Sequence, residues 1–237
     1  MKDIFANEEM GLVILLGPLL LANAVTQYFD PVSGFFIYAG IYAICLMLVF
    51  FRENNHFYII LSLAPLIKII QLSLEASFLN QVYLLIILYL TWLGMLFLAK
   101  ESLALNFSKK TLLLCPIVIG MGLIVGIVEY IWLGTDLWLQ NSFYAIILLG
   151  VLAAVAEEFY FRRSLYGKFK AEHAAVVVSL LYIAMLPSWN IGNIVIFMGA
   201  NLIFCDLYRH TKSILVTIIM HATMNITVMT IMPNVLL

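Results

Sequence analysis

Long apolar stretches alternate with short polar connections along the whole chain. A helix that crosses the hydrocarbon core of a bilayer needs about 20 predominantly apolar residues. Nine stretches approach or exceed that length, the seventh being short, and they occupy residues 10–28, 34–51, 57–74, 82–99, 111–133, 142–161, 174–187, 191–207 and 213–232. The pattern predicts an all-α fold, a polytopic transmembrane helical bundle of about nine spans.

The basic residues predict the orientation of this bundle. Alternate segments contain no Lys or Arg, namely 29–33, 75–81, 134–141, 188–190 and the tail after residue 232. The other connections carry all 12 basic residues of the chain except Lys68. Because Lys and Arg are retained on the cytoplasmic side during insertion, we expect a cytoplasmic N terminus and a C terminus on the outside.

The composition excludes several classes of protein. The 237 residues are 65% hydrophobic and 11% charged, with a mean hydropathy of +1.08, which leaves too little polar surface for a water-soluble fold. The net charge of −1 and the lack of a basic run argue against nucleic acid as a partner. We therefore predict a multi-pass protein of the cell membrane. The three cysteines lie in apolar spans and form no CxxC pair, as expected of small buried side chains.

The first span has an alternative interpretation. Ala22-Asn23-Ala24 follows an apolar run, as a signal-peptidase site would. The residues before that run include Lys2, Asp3, Glu8 and Glu9, whereas a signal peptide begins with a net positive charge. We therefore favour a retained span, and the rest of the topology is the same in either case.

Ionisable and amide side chains inside the spans are the candidates for chemistry, because charge is costly in lipid and usually faces the bundle interior. The densest group is Glu157, Glu158 and Arg162 at the predicted cytoplasmic end of the sixth span. Glu158 and Arg162 are four residues apart, which suits an ion pair on one helix face. Glu157 points about 100° away and has no local partner, so its carboxylate could accept a proton from a water molecule. The alternative is a charge cluster that ends a helix at the interface.

A second polar pair lies in the last span, where His221 and Asn225 are also four residues apart. At 1.5 Å per residue, His221 lies about 12 Å from the cytoplasmic end of its helix and Glu157 about 7.5 Å from the end of its own. We expect the two groups to meet in one water-containing pocket. The alternative is that His221 and Asn225 make hydrogen bonds that only pack helices together.

In this order and spacing, Glu157-Glu158-x-x-x-Arg162 and His221-x-x-x-Asn225 resemble the CPBP family. That family comprises the type II CAAX prenyl endopeptidases and their bacteriocin-processing and self-immunity (Abi) relatives. The resemblance covers about residues 142–232 and includes a turn, around 207–215, similar to the one before the family's last helix. We therefore divide one continuous membrane domain into spans without a recognisable motif at 1–141 and a motif-bearing core at 142–237.

The resemblance implies an intramembrane endopeptidase that is open toward the cytoplasm and cleaves a membrane-associated or lipidated peptide. Glu157 would activate a water, and Arg162 would hold Glu157 and Glu158 in position. His221 and Asn225 would stabilise the oxyanion. The resemblance implies no particular cofactor, and the ligand count does not support a divalent metal, because two glutamates and one histidine are a poor ligand set for zinc.

One departure from the family leaves the activity open. The family's middle motif, Phe-x-x-x-His, aligns with Tyr182 and Leu186, so its histidine is missing. In addition, two positions of the eighth span that are usually glycine in the family are Asn201 and Cys205 here. Loss of such a group typically lowers a rate by two to four orders of magnitude. The chain is then either an endopeptidase whose Glu157 works with a substitute partner such as Asn201, or at reduced rate, or a non-catalytic member that binds a membrane peptide or protein as scaffold, regulator or bacteriocin-immunity factor. Tyr182 and Asn201 are the auxiliary candidates for the site. A transporter that uses the ionisable Lys68 and Glu129 is a third class.

Overall fold

The computed structural model describes residues 8–51, 55–75, 81–99, 105, 108–133, 143–169, 171–186 and 189–232. Within these ranges the chain forms nine α-helices: α1 Glu8–Tyr28, α2 Pro31–Phe51, α3 Asn55–Glu75, α4 Gln81–Leu98, α5 Lys109–Leu133, α6 Phe143–Glu158, α7 Ala171–Ala184, α8 Ile191–Thr211 and α9 Ile214–Ile226. Seven of the helical segments are long and apolar enough to cross a membrane, and α4 and α7 are shorter. The predicted all-α fold is confirmed, and the orientation stays a prediction.

The sixth predicted span is not a regular α-helix to its end. The α-helical part ends at Glu158 and continues as a π-helix, Phe159–Leu165, and a 3-10 turn, Tyr166–Lys168. The Ser164 hydroxyl donates to the carbonyl oxygen of Phe159 at 3.1 Å, which stabilises the wider turn. Short π-helical insertions are frequent at functional sites because they rotate the following side chains out of α-helical register.

Helix α8 is capped by a side chain at its start and joined to α9 by a tight turn at its end. At the start, the Asn190 side chain accepts a hydrogen bond from the backbone N–H of Asn193. Lys212 ends α8 in the left-handed conformation, with φ of 53°. Because glycine is the residue that usually ends a helix this way, Lys212 occupies the turn at some strain, and α9 begins two residues later at Ile214.

Helix α9 is packed between α5 and α6. Two glycines one turn apart on α5 allow the close approach: a Cβ atom at Gly122 would lie 2.5 Å from the carbonyl oxygen of Met220, and one at Gly126 would lie 2.8 Å from that of Met224. Small residues at this spacing bring the backbones of membrane helices together. The approach places the side of α5 that carries these glycines directly against α9.

The end of α7 is buried and bound by side chains from other parts of the bundle. The span predicted to reach residue 187 ends as a helix at Ala184. Lys68 Nζ lies 3.0 Å from the carbonyl oxygen of Leu186, and Asn23 Nδ2 lies 3.2 Å from the same oxygen. Lys68 therefore neutralises the negative end of a helix, which is a structural use of its charge.

Candidate active site

Two consecutive glutamates at the end of α6 have different surroundings. Glu158 is fully buried, and its Oε2 lies 3.2 Å from Nε of Arg162, so the predicted ion pair is present. Its Oε1 lies 2.9 Å from Nδ1 of His221. The ion pair acts through charge rather than through a well-aligned hydrogen bond, because neither Glu158 Oε2 nor Arg162 Nε meets hydrogen-bond geometry with any described residue. Glu158 is thus occupied by two partners.

Arg162 connects the π-helical segment to α8. Its guanidinium donates to the side-chain oxygen of Asn201 and lies 3.4 Å from the carbonyl oxygen of that residue. The guanidinium carbon lies 5.4 Å from the centre of the Phe204 ring. A planar cation that is held by an amide and rests on an aromatic ring has little freedom. Asn201, predicted as a possible substitute partner of Glu157, thus contacts the arginine that positions Glu158.

His221 lies between the two glutamates. Its ring is buried and stacks on Phe204, with 4.9 Å between the ring centres. Because an ionised carboxylate only accepts hydrogen bonds, the contact with Glu158 means that Nδ1 of His221 carries a hydrogen. The other ring nitrogen, Nε2, then points toward Glu157, whose Oε2 is 3.8 Å away. Glu158 therefore sets the orientation and tautomer of the imidazole that faces Glu157.

Glu157 is the glutamate that has one carboxylate oxygen without a hydrogen-bond partner among the described residues. Its Oε1 accepts a hydrogen bond from the Tyr89 hydroxyl at 2.8 Å, and the Tyr182 hydroxyl also hydrogen-bonds to this carboxylate. Its Oε2 has no hydrogen-bond partner among the described residues, and 12% of the side chain is exposed. A carboxylate that is oriented on one oxygen and open on the other can bind a water molecule and accept a proton from it.

Tyr89 belongs to α4, in the part of the chain that has no recognisable motif. Nothing distinguishes it in the sequence from the other aromatic residues of an apolar span. Tyr182, by contrast, was predicted as an auxiliary residue from its alignment, and it lies beside Glu157. The two hydroxyls restrict the glutamate to one orientation.

Three further positions that the sequence singled out lie on α9, on the turn after α7 and on α5. Asn225 donates from Nδ2 to the carbonyl oxygen of Gly150 at 3.1 Å, which joins α9 to α6. Leu186, at the position of the missing histidine, is buried and offers no ionisable side chain. Glu129 of α5, identified in the sequence as an ionisable residue inside a span, is 8% exposed, and its Oε2 has no hydrogen-bond partner among the described residues.

Over the ranges that the structure describes, no three or more His, Cys, Asp or Glu side chains form a group that could hold a metal ion. Glu157, Glu158, Arg162 and His221 are joined by the contacts described above, and we call these four residues the acidic cluster.

Part of the chain matches a model of a known protein family. Residues 139–227 match the family model described as Type II CAAX prenyl endopeptidase Rce1-like. No curated protein and no solved structure matched the chain. The matched segment contains the whole acidic cluster and Asn225, whereas Tyr89 and Glu129 precede it.

Proposed function

We propose that this chain, whose residues 139–227 form a domain of the Rce1-like type II CAAX prenyl endopeptidase family, is an intramembrane endopeptidase. Its substrate is a membrane-associated or lipidated peptide, cleaved from the cytoplasmic side. Glu157 is the base that activates the attacking water. The proposal does not require a metal ion.

The observation that carries this proposal is the difference between the two adjacent glutamates. The two carboxylate oxygens of Glu158 contact Arg162 and His221, whereas Oε2 of Glu157 lacks a hydrogen-bond partner among the described residues. A buried acceptor without a partner is costly, because burial removes the water that would otherwise satisfy it. A bound water at this oxygen would satisfy it and would be positioned for attack.

The neighbouring groups can stabilise the charge that develops on the peptide oxygen. When His221 is protonated, Nε2–H donates toward the side on which Glu157 lies, and Glu158 compensates the positive charge. The amide of Asn225 has two hydrogens, of which the contact with Gly150 uses one. The second hydrogen can donate to an oxyanion. Donors that are oriented before the reaction stabilise such charge without reorganisation.

A second candidate function is a non-catalytic membrane protein that binds a peptide or a membrane protein through the same pocket, as a scaffold, regulator or immunity factor. The observation in its favour is Leu186, a buried leucine where the family's middle motif has a histidine. An apolar side chain neither orients a water nor accepts a proton. Binding without cleavage would tolerate that replacement.

The two candidates differ in their dependence on the Glu157 carboxylate. We expect Glu157→Gln to lower peptide hydrolysis by about 10²–10⁴-fold, because an amide cannot serve as a base. The measurement uses purified protein in liposomes and a quenched fluorescent peptide with a farnesylated cysteine followed by three residues. Asp206→Asn, an exposed acid changed to its amide, is the matched control. The phenotype of a gene deletion should be restored by the wild type and by Asp206→Asn, but not by Glu157→Gln.

The outcome that contradicts catalysis is full restoration of the phenotype by Glu157→Gln, since shape and hydrogen bonding are then sufficient. If the pocket only binds, Glu157→Ala should still fail to restore the phenotype, because alanine lacks the shape and the hydrogen bonds that glutamine keeps. Leu186→His provides the complementary measurement. A many-fold increase in cleavage would identify the natural chain as a weakened endopeptidase.

A further inference from the structure

The hydroxyl of Tyr89 contacts Glu157 from a helix that lies outside the matched family domain. It donates to Glu157 Oε1 at 2.8 Å, whereas Oε2 of the same carboxylate has no hydrogen-bond partner among the described residues. A substitute partner of Glu157 is one of the possibilities that the sequence leaves open, with Asn201 as its candidate. The side chain of Asn201 binds Arg162 instead, so a partner of Glu157 comes from α4.

The ring of Tyr89 is held by aromatic contacts that lead to the segment after the glutamates. It stacks on Trp92, one turn later on α4, with 6.0 Å between the ring centres and 12° between the planes. Trp92 is 3% exposed and meets the rings of Tyr160 and Phe161 edge-on, at 5.2 and 6.3 Å. Both of these residues belong to the π-helix that directly follows α6. Because aromatic pairs favour particular orientations, the Tyr89 hydroxyl has a defined position relative to Glu157.

The packing of α4 on α6 places Tyr89 at the level of Glu157. Val82 of α4 packs with Leu149 of α6 in an apolar contact. Tyr89 follows Val82 by seven residues and Glu157 follows Leu149 by eight, which is about two turns in each helix. The two helices therefore run in the same direction along their shared face, as the predicted topology also requires. An apolar side chain at position 89 would continue this contact, so packing alone does not account for the hydroxyl.

From these contacts we infer that Tyr89 is a positioning residue, the substitute partner that orients the Glu157 carboxylate. The inference rests on the proposed function and deepens it. A hydroxyl bound to Oε1 fixes the plane of the carboxylate, so that Oε2 stays on the side of His221, 3.8 Å from its Nε2. Because the hydrogen bond stabilises negative charge on Oε1, the proton taken from water goes to Oε2. A base that had to find this orientation in every turnover would react more slowly.

The test separates turnover from substrate binding. The liposome assay with the farnesylated fluorescent peptide is run on Tyr89→Phe, which removes the hydroxyl and keeps the ring beside Trp92. We expect kcat to fall by about 10–10²-fold and KM to stay within about twofold of the wild-type value, because a misplaced base slows the reaction without altering substrate binding. Tyr83→Phe, at an exposed tyrosine of the same helix, is the matched control and should leave both constants unchanged.

Infrared spectroscopy measures the hydrogen bond itself and does not depend on cleavage. The difference between the spectra of the wild type and Glu157→Gln in liposomes contains the carboxyl bands of Glu157. The same difference recorded in a Tyr89→Phe background should show these bands at another frequency, because Oε1 has lost its donor. In a Tyr83→Phe background the bands should keep the wild-type frequency.

Two results would overturn the inference. One is an unchanged kcat in a folded Tyr89→Phe protein, whether or not KM rises. The other is a set of Glu157 carboxyl bands that keep their wild-type frequency in the Tyr89→Phe background. The proposed function fails separately, if the wild type does not cleave the peptide or if Glu157→Gln cleaves it at the full rate. The infrared comparison alone then decides whether Tyr89 orients Glu157.

Discussion

Within the described part of the bundle, two polar clusters differ in what their charged side chains contact. In the acidic cluster, charged side chains contact one another. In the second, which we call the helix-end cluster, side-chain donors bind the last carbonyl oxygens of α7 and its following turn. Its members are Asn23, Tyr38, Lys68 and Trp189. Both clusters contain ionisable groups at a depth where charge is costly.

The difference shows why burial alone does not identify a reactive group. Lys68 Nζ donates to the side-chain oxygen of Gln71 and to the carbonyl oxygens of Met185 and Leu186. These two carbonyl groups follow the last residue of α7 and have no partner within the helix. Glu157 is held by two hydroxyls and still presents one open oxygen beside His221. The first arrangement completes a helix end, and the second leaves one carboxylate oxygen without a hydrogen-bond partner among the described residues. A buried polar group that still has an unused hydrogen-bond acceptor or donor, after its contacts with the protein are counted, is the better candidate for chemistry.

The largest expected effect comes from removing the cation of the acidic cluster. Arg162→Met should lower the free energy of unfolding by about 3–5 kcal/mol, because it leaves the fully buried Glu158 without its arginine. The adjacent Arg163→Met is the matched control, since Arg163 is exposed. Denaturant unfolding of both variants in detergent micelles measures the difference. If the two variants lose similar stability, the buried ion pair does not hold the cluster together.

A double variant sharpens the same prediction. In Arg162→Met with Glu158→Gln, no uncompensated charge remains at the pair, so part of the lost stability should return. His221 would lose its ionised acceptor in this variant, and its orientation toward Glu157 should be less defined. Stability and activity should therefore separate. Return of both together would contradict the assignment of Glu158 as the group that orients the imidazole.

A smaller effect is expected in the helix-end cluster. Lys68→Met should lower the free energy of unfolding by about 1.5–3 kcal/mol, the usual range for hydrogen bonds made by a charged group. The exposed Lys109→Met is the control. The rate of peptide hydrolysis per folded molecule should stay unchanged, since Lys68 binds the end of α7 rather than the acidic cluster. A selective loss of rate at normal stability would show that Lys68 takes part in the chemistry.

The sequence predicted those features that follow from local spacing and from the membrane. Span lengths located the helices to within a few residues, because the bilayer thickness and the helical rise fix them together. The four-residue spacing predicted the contact of Glu158 with Arg162, and similar depth predicted that His221 meets the glutamates. These inferences needed no knowledge of which helices are neighbours.

The remaining features depend on packing between distant helices. Tyr89 reaches the site from α4, and a lone tyrosine in an apolar span does not indicate its neighbour. The partner of Lys68 is a helix end more than a hundred residues away in the chain, which no periodicity reveals. The π-helix after Glu158 was missed because the same apolar pattern fits an α-helix.

The smallest expected effect concerns an arginine–carboxylate pair outside both clusters. Arg209 Nη2 lies 2.7 Å from Asp206 Oδ1 near the end of α8, closer than the 3.2 Å between Arg162 and Glu158. The Arg209 and Asp206 side chains are 50% and 59% exposed, so water already stabilises each charge in the absence of the other. Arg209→Met should therefore change the free energy of unfolding by less than about 1 kcal/mol, and added salt should reduce the change further. Unfolding at two ionic strengths measures both quantities. A loss as large as that of Arg162→Met would mean that distance rather than burial sets the value of these pairs, and the contrast between buried and exposed polar groups would then lose its physical basis.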